Sequence, residues 1–127
     1  KTKKMKANEL RIGNWAMYSS KIQVNENKIR ECVDHPDRFA PIPLTKEWLE
    51  RFGFERRGEG YSSNIFYRQE DLLNWEYAVH ISKETGITVS HGFYGQFSEL
   101  ANIGYVHQLQ NLYFALTGEE LNQNKDE

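Results

Sequence analysis

The chain opens with short stretches in which apolar residues recur at every second position. Leu10 and Ile12 alternate, Gly13-Asn14 interrupts them as a bend or bulge, and Trp15 with Met17 resumes the alternation. Ile22 and Val24 repeat it, Asn25-Glu26-Asn27 offers a turn, and Ile29 begins a return strand. Three short strands at this spacing predict a small curled meander of SH3-like character.

Turn chemistry follows at Asp34-His35-Pro36-Asp37, and Pro41-Ile42-Pro43 imposes an extended stretch because each proline restrains its own φ and its predecessor. A short helix comes next. Thr45 is placed to cap it, Leu44 and Leu49 stand at staple positions, and Gly53 can take the left-handed conformation that ends it. Trp48, Leu49 and Phe52 share its inner face, with Phe54 folding back over the end. Residues 55–62 are polar and read as a mobile loop. Ile65 and Tyr67 then share one strand face, while Trp75, Tyr77, Val79 and Ile81 alternate with Ala78 and His80. Lys83-Glu84-Thr85-Gly86 reads as a hairpin loop, after which Ile87 and Val89 continue an antiparallel meander. One side of it must be covered.

The last helix has the clearest signature. Tyr105, Leu109, Leu112 and Leu116 fall at i, i+4, i+7 and i+11, Val106 and Tyr113 widen the stripe, and Gly118 supplies the stop. From Leu100 to Gly118 there is no Asp, Glu, Lys or Arg. A surface segment of that length would carry about five at the chain-wide frequency. The polar side is made of His107, Gln108, Gln110 and Asn111 instead. Two explanations follow. The helix packs with its amides bonded internally, or it offers a charge-poor surface to a partner or ligand. The second makes Tyr105, His107, Gln108 and Asn111 the candidate surface.

Composition narrows the function classes. The 127 residues suit one α+β domain with flexible ends at 1–6 and 119–127, built as the SH3-like meander, one short helix, the antiparallel meander and a C-terminal helix packed on the sheet. Met5 is a candidate natural start. The formal net charge is −2, so the field that drives sequence-independent nucleic-acid binding is lacking; Lys1, Lys3, Lys4 and Lys6 form the one basic cluster. A single cysteine, Cys32, excludes an intramolecular disulfide, and its acidic neighbours Glu31 and Asp34 make it a poor thiolate. With no apolar leader or membrane-length run, a cytoplasmic protein is expected.

Three blocks carry a resemblance. Asn8-Glu9-Leu10-Arg11-Ile12-Gly13-Asn14, then Pro41-Ile42-Pro43-Leu44-Thr45 before Trp48-Leu49, and finally Tyr105-Val106-His107-Gln108-Leu109-Gln110-Asn111-Leu112-Tyr113-Phe114-Ala115-Leu116-Thr117-Gly118-Glu119-Glu120-Leu121 resemble a family of small uncharacterised proteins. Its members come from gut Bacteroidetes genomes and their phages and mobile elements. The resemblance implies a cytoplasmic accessory protein and assigns no activity to any residue.

Catalytic and metal chemistry find little material. His35, His80, His91 and His107 have no ligand spacing among them, so neither metal nor cofactor is expected. His80 and His91 are the pair that a hairpin can bring face to face. Ser90 and His91 are neighbours on a strand and point to opposite faces; Glu99 with His107 is the remaining acid–base couple. Gly58-Glu59-Gly60 and Gly92-Phe93-Tyr94-Gly95 lack the lysine and helix of a phosphate loop, and the second reads as an irregular aromatic plug. Glu55, Arg56, Arg57 and Glu59 read as a solvated charge run. The leading expectation is a non-enzymatic binding or adaptor module acting on a protein partner or a second copy through the C-terminal helix. A small-molecule or nucleotide-sequestering protein and a small hydrolase are the alternatives.

Overall fold

Asn25 decides how the first third of the chain folds. It is extended, and its side-chain oxygen accepts a hydrogen bond from the Lys28 N–H at 2.9 Å, which starts a helix at Glu26. The computed structural model describes residues 5–56, 65–69, 75–82, 86–93 and 96–121. Two short strands precede the cap, β1 (Trp15–Met17) and β2 (Lys21–Gln23), paired antiparallel with Ala16 opposite Ile22. Helix α1 then spans Glu26–Asp34.

The SH3-like meander is therefore corrected. Ile29 lies in α1 and not in a third strand, because Ile29 and Cys32 stand three apart on one helical face and an exposed Glu26–Arg30 pair at i,i+4 supports the same helix. The strand that does return to β1 is a single bridge between Met17 and Ala40. Gly13, at φ 98°, provides the predicted bend, and its N–H donates to the Val24 carbonyl at 2.8 Å.

The α+β class is as the pattern predicts: antiparallel sheets with helices between and after them. The chain gathers into two compact units. The first is discontinuous, running to Leu44 and resuming at Tyr105. Its core holds Met5, Leu10, Ala16, Val24, Cys32 and Phe39, with Tyr18, Ile22 and Ile29 packed around them. Met5 and Leu121 are both buried, so they belong to the packed chain rather than to loose ends. Of the expected flexible ends, Lys6, Glu119 and Glu120 are exposed, and residues 1–4 and 122–127 lie outside the described residues.

Helix α3 (Val106–Thr117) closes this unit. Gly118 ends it at φ 76°, donating to the Phe114 carbonyl at 2.8 Å, as the sequence predicts. The inward stripe is rotated from the predicted one. Val106, His107, Leu109, Gln110 and Tyr113 are buried, whereas Leu116 is exposed. The helix lies beside β1, and the partners of its polar groups belong to the N-terminal segment.

The second unit spans Thr45–Gly104. Thr45 caps α2 (Lys46–Arg51) by accepting from the Trp48 N–H, and Gly53 at φ 89° ends it, with Phe54 N–H returning to the Leu49 carbonyl at 2.9 Å. Five strands follow in sequential antiparallel order: β3 (Glu55–Arg56), β4 (Ile65–Gln69), β5 (Trp75–Ser82), β6 (Gly86–Phe93) and β7 (Gln96–Ile103). Glu55–Arg56 is thus strand and not loop, since it pairs with Tyr67 and Phe66; the rest of the expected loop, from residue 57 to 62, lies outside the described residues, as does the turn at 83–85. The link expected to be irregular is strand on both sides, while packing of its aromatic rings as a plug lies outside the described residues. Gly92 and Phe93 finish β6, and β7 begins at Gln96; residues 94–95 are not among those described. Tyr77, Val79 and Val89 form the buried centre of one sheet face, the alternation predicted for β5.

Replacing Thr45 by Ala should cost about 1 kcal/mol through loss of the cap. Urea unfolding followed by tryptophan fluorescence should show a lower midpoint for the variant at an unchanged slope.

Candidate functional site

The candidate residues on α3 point inward, into a set of hydrogen bonds that no single segment could complete. Asn111 donates from Nδ2 to the Glu9 carbonyl at 2.9 Å. Its Oδ1 accepts from Arg11 Nη1 at 2.8 Å and from Asn14 Nδ2 at 2.9 Å. Gln110, one turn position earlier and 1% exposed, accepts from the Trp15 N–H at 2.8 Å and donates to the Gly13 carbonyl at 3.1 Å. His107, also 1% exposed, places Nε2 3.1 Å from Glu9 Oε1. These are the 9–15 segment and the helix answering each other's backbone and amide groups.

The geometry follows from local structure. The Ala7–Glu9 turn ends with Leu10 N–H bonded to the Ala7 carbonyl at 3.1 Å, which presents the Glu9 carbonyl to the helix. The next bend is built by Asn14, whose Oδ1 accepts from the Arg11 N–H at 2.7 Å. That bond leaves the Asn14 Nδ2 directed at Asn111. Arg11 then spans the helix end: beyond Asn111 it pairs with Glu120, and its guanidinium carbon sits 4.0 Å from the centre of the Phe114 ring. Tyr105 and Gln108 serve the start of the helix. Gln108 Oε1 accepts from the Tyr105 N–H at 3.1 Å, and the Tyr105 ring stacks on His107 at 6.1 Å.

Of the four proposed surface residues, His107 is buried, Asn111 is bonded at both ends of its amide, and Gln108 closes the helix start. Only parts of Tyr105, Gln108 and Asn111 meet solvent. Sequence reasoning did not pick out Glu9, Arg11 and Asn14 as partners of the helix, although all three stand in the first block that carries the family resemblance. The middle block joins them: the Val106 N–H donates to the Ile42 carbonyl at 2.8 Å, and Pro43 bridges Tyr105.

The other candidate chemistry is dispersed. His80 lies opposite Thr88 and His91 opposite Tyr77, so the two imidazoles belong to opposite faces of the sheet and do not meet across the hairpin. His91 stacks on Tyr77 at 4.5 Å. Ser90 and His91 divide between the two faces as expected. The carboxylate facing His107 is that of Glu9. Among the described residues no group of three or more His, Cys, Asp or Glu could hold a metal ion. Burial, with the Glu9 charge adding, pushes the Cys32 thiol up, and its Sγ lies 3.7 Å from the Met5 carbonyl. The thiol is weakly acidic as expected, through burial first rather than through Glu31 and Asp34. It floors an open cleft of about 320 Å³ lined by Lys6, Ala7, Asn8, Val33 and Pro36.

A second polar cluster fixes α1. The Tyr18 hydroxyl donates to Glu31, Arg38 Nη1 reaches the same carboxylate at 3.0 Å, and Lys28 Nζ does so at 3.2 Å while lying 3.9 Å over the Tyr18 ring. The Tyr18 hydrogen bond, then that of Arg38, holds the Glu31 carboxyl down at about 2.

No protein-family profile, curated protein or solved structure matches this chain.

Three outcomes are expected. Asn111→Leu leaves Arg11, Asn14 and the Glu9 carbonyl without their acceptor or donor and should cost about 3 kcal/mol in denaturant titration. Leu116→Ala, on the exposed side of the same helix, should stay within about 0.5 kcal/mol. Glu31 has a folded pKa below its unfolded 4.5, so its contribution is fully present above that value and is lost as pH falls toward about 2. The thermal midpoint of Glu31→Gln should therefore vary less with pH across that acid window than that of the parent protein.

Proposed function

We propose that the chain is a non-catalytic protein-binding module whose docking element is the outer face of α3, and that a second copy of the chain is its partner. The observation that carries this reading is the contrast between the two sides of the helix. On the inner side His107, Gln110 and Asn111 bond to the N-terminal segment and tie the helix to it. The outer side keeps large apolar groups in water: Phe114 is 38% exposed and Leu116 44%, and Ile12, next to the Arg11 that covers Phe114, is 61% exposed. Apolar side chains on a rigid, charge-free element suit the core of an interface. From Leu112 to Thr117 the helix carries no charge, so pairing it with its own copy about a two-fold axis sets no like charges against each other. Arg11 and Glu120, already paired, flank the face as a polar rim.

The amides that would suit nucleotide recognition are engaged within the fold, and the histidines that would suit a hydrolase are spread over separate faces and elements. Both alternatives lose the residues that motivated them. Among the described residues no helix is long and apolar enough to cross a membrane. An accessory role in the cytoplasm, as the resemblance to Bacteroidetes and mobile-element proteins implies, fits a small docking module.

Sedimentation velocity over a wide concentration range tests the proposal. The parent protein should shift to a dimer as concentration rises. Phe114→Lys with Leu116→Lys should remain monomeric while keeping the parent's circular-dichroism spectrum. A parent protein that is monomeric throughout, with the variant indistinguishable from it, would sink the reading.

A further inference from the structure

The first unit is built from two pieces of chain, and the place where the chain leaves it lies beside the place where it returns. Pro43 pairs antiparallel with Tyr105, and the Val106 N–H bonds to the Ile42 carbonyl at 2.8 Å. Everything from Thr45 to Gly104 is thus carried on two adjacent strands of backbone. We infer that the Tyr105–Leu121 return segment is a strap that completes the first unit by itself, and that the Thr45–Gly104 unit is an insertion whose unfolding leaves the strapped unit folded. This inference does not depend on the docking function proposed above.

Three observations carry it. First, three polar side chains of the strap bond within the first unit: His107, Gln110 and Asn111 reach Glu9, Arg11, Gly13, Asn14 and Trp15. Second, that unit's cluster of Met5, Leu10, Ala16, Val24, Cys32 and Phe39 comes entirely from one continuous stretch of chain, 5–39. Third, among the described residues the strands of the second unit pair with their neighbours in sequence, in the order β3 to β7. If the insertion unfolds, its ends remain pinned by the Ile42–Val106 bond. The segment becomes a long loop, and the entropy of closing a loop grows only with the logarithm of its length. Against that stands a set of buried amide groups that would all lose partners at once if the strap came away.

Hydrogen exchange on the full-length protein reads this directly, because cooperative units open separately. Val79 is fully buried in the sheet, and Val79→Asp should unfold the insertion. In that variant the amides of β5 and β6 should exchange freely. The amides of Trp15, Val24 and Val106 should stay protected by about a hundredfold or more relative to them. Exchange of both sets together would overturn the inference. Should the variant prove insoluble, the parent protein in urea below its midpoint gives the same answer: two groups of amides with different urea dependence support the strap, and one common opening for all of them overturns it.

Discussion

A carboxamide withdrawn from water keeps two donor hydrogens and an oxygen that can accept twice, and each must find a partner in the fold. Gln110 and Asn111 impose that requirement on the rest of the first unit. They answer it by reading the backbone of the 9–15 segment, a turn, a bend and a strand start in quick succession: the Glu9 and Gly13 carbonyls accept from them and the Trp15 N–H donates to Gln110, with Gln23 Nε2 sharing the Gly13 carbonyl at 3.1 Å. The apolar core alone would tolerate a helix sliding by a turn along its stripe. The amides do not, since a shift of one residue leaves several buried groups without partners. The strap is held in register by hydrogen bonds and held down by burial.

The same logic sets what the sequence discloses. The start and stop of α3 are legible because a left-handed glycine and a 3.6-residue period are local signals, carried by Gly118 and by Leu109 and Tyr113. The direction of its polar face is not. Whether His107 and Asn111 point to solvent or to Glu9 depends on contacts about a hundred residues apart along the chain, which no periodicity records. The α1 segment shows a different failure. Asn25-Glu26-Asn27 reads equally as a turn or as a cap, and a turn reading makes Ile29 a strand residue. The signal that favours the helix is the spacing of Ile29 and Cys32 together with the Glu26–Arg30 pair, and it competes with the alternation running up to Val24. β7 was hidden because Phe97, Leu100 and Ile103 fall three apart, off the period of a strand. The pairing of β7 with β6 also shifts register between Val89 and Ser90, which simple alternation does not anticipate.

The two polar clusters of the first unit work by different physics. Around Glu31, one charge gathers three donors at the surface, so its contribution follows the ionisation of a carboxylate and is screened by water. Around Asn111, amides meet backbone groups and the Arg11 guanidinium at the part-buried inner side of the helix. That contribution persists wherever the helix stays dry. The Glu31 cluster joins elements close in sequence, from Tyr18 to Arg38, and can form before the strap arrives. The Asn111 cluster cannot.

The charge-free run from Leu100 to Gly118 looks like one feature in the sequence and is two in the structure. Its first residues end β7, an edge strand beside β6, and belong to the inserted unit; the remainder is the strap. Within the strap the absence of charge again has two causes. On the inner side a charged group would be withdrawn from water into a set of hydrogen bonds already shared among amides, backbone, Arg11 and Glu9, at a desolvation cost. On the outer side no such cost applies, since Phe114, Ala115 and Leu116 are all exposed and a lysine or glutamate there would sit in water. Folding therefore accounts for the missing charge on one face only. The other face keeps large apolar groups where the fold itself gains little from them, and that residue of unexplained hydrophobicity is what an interface would account for.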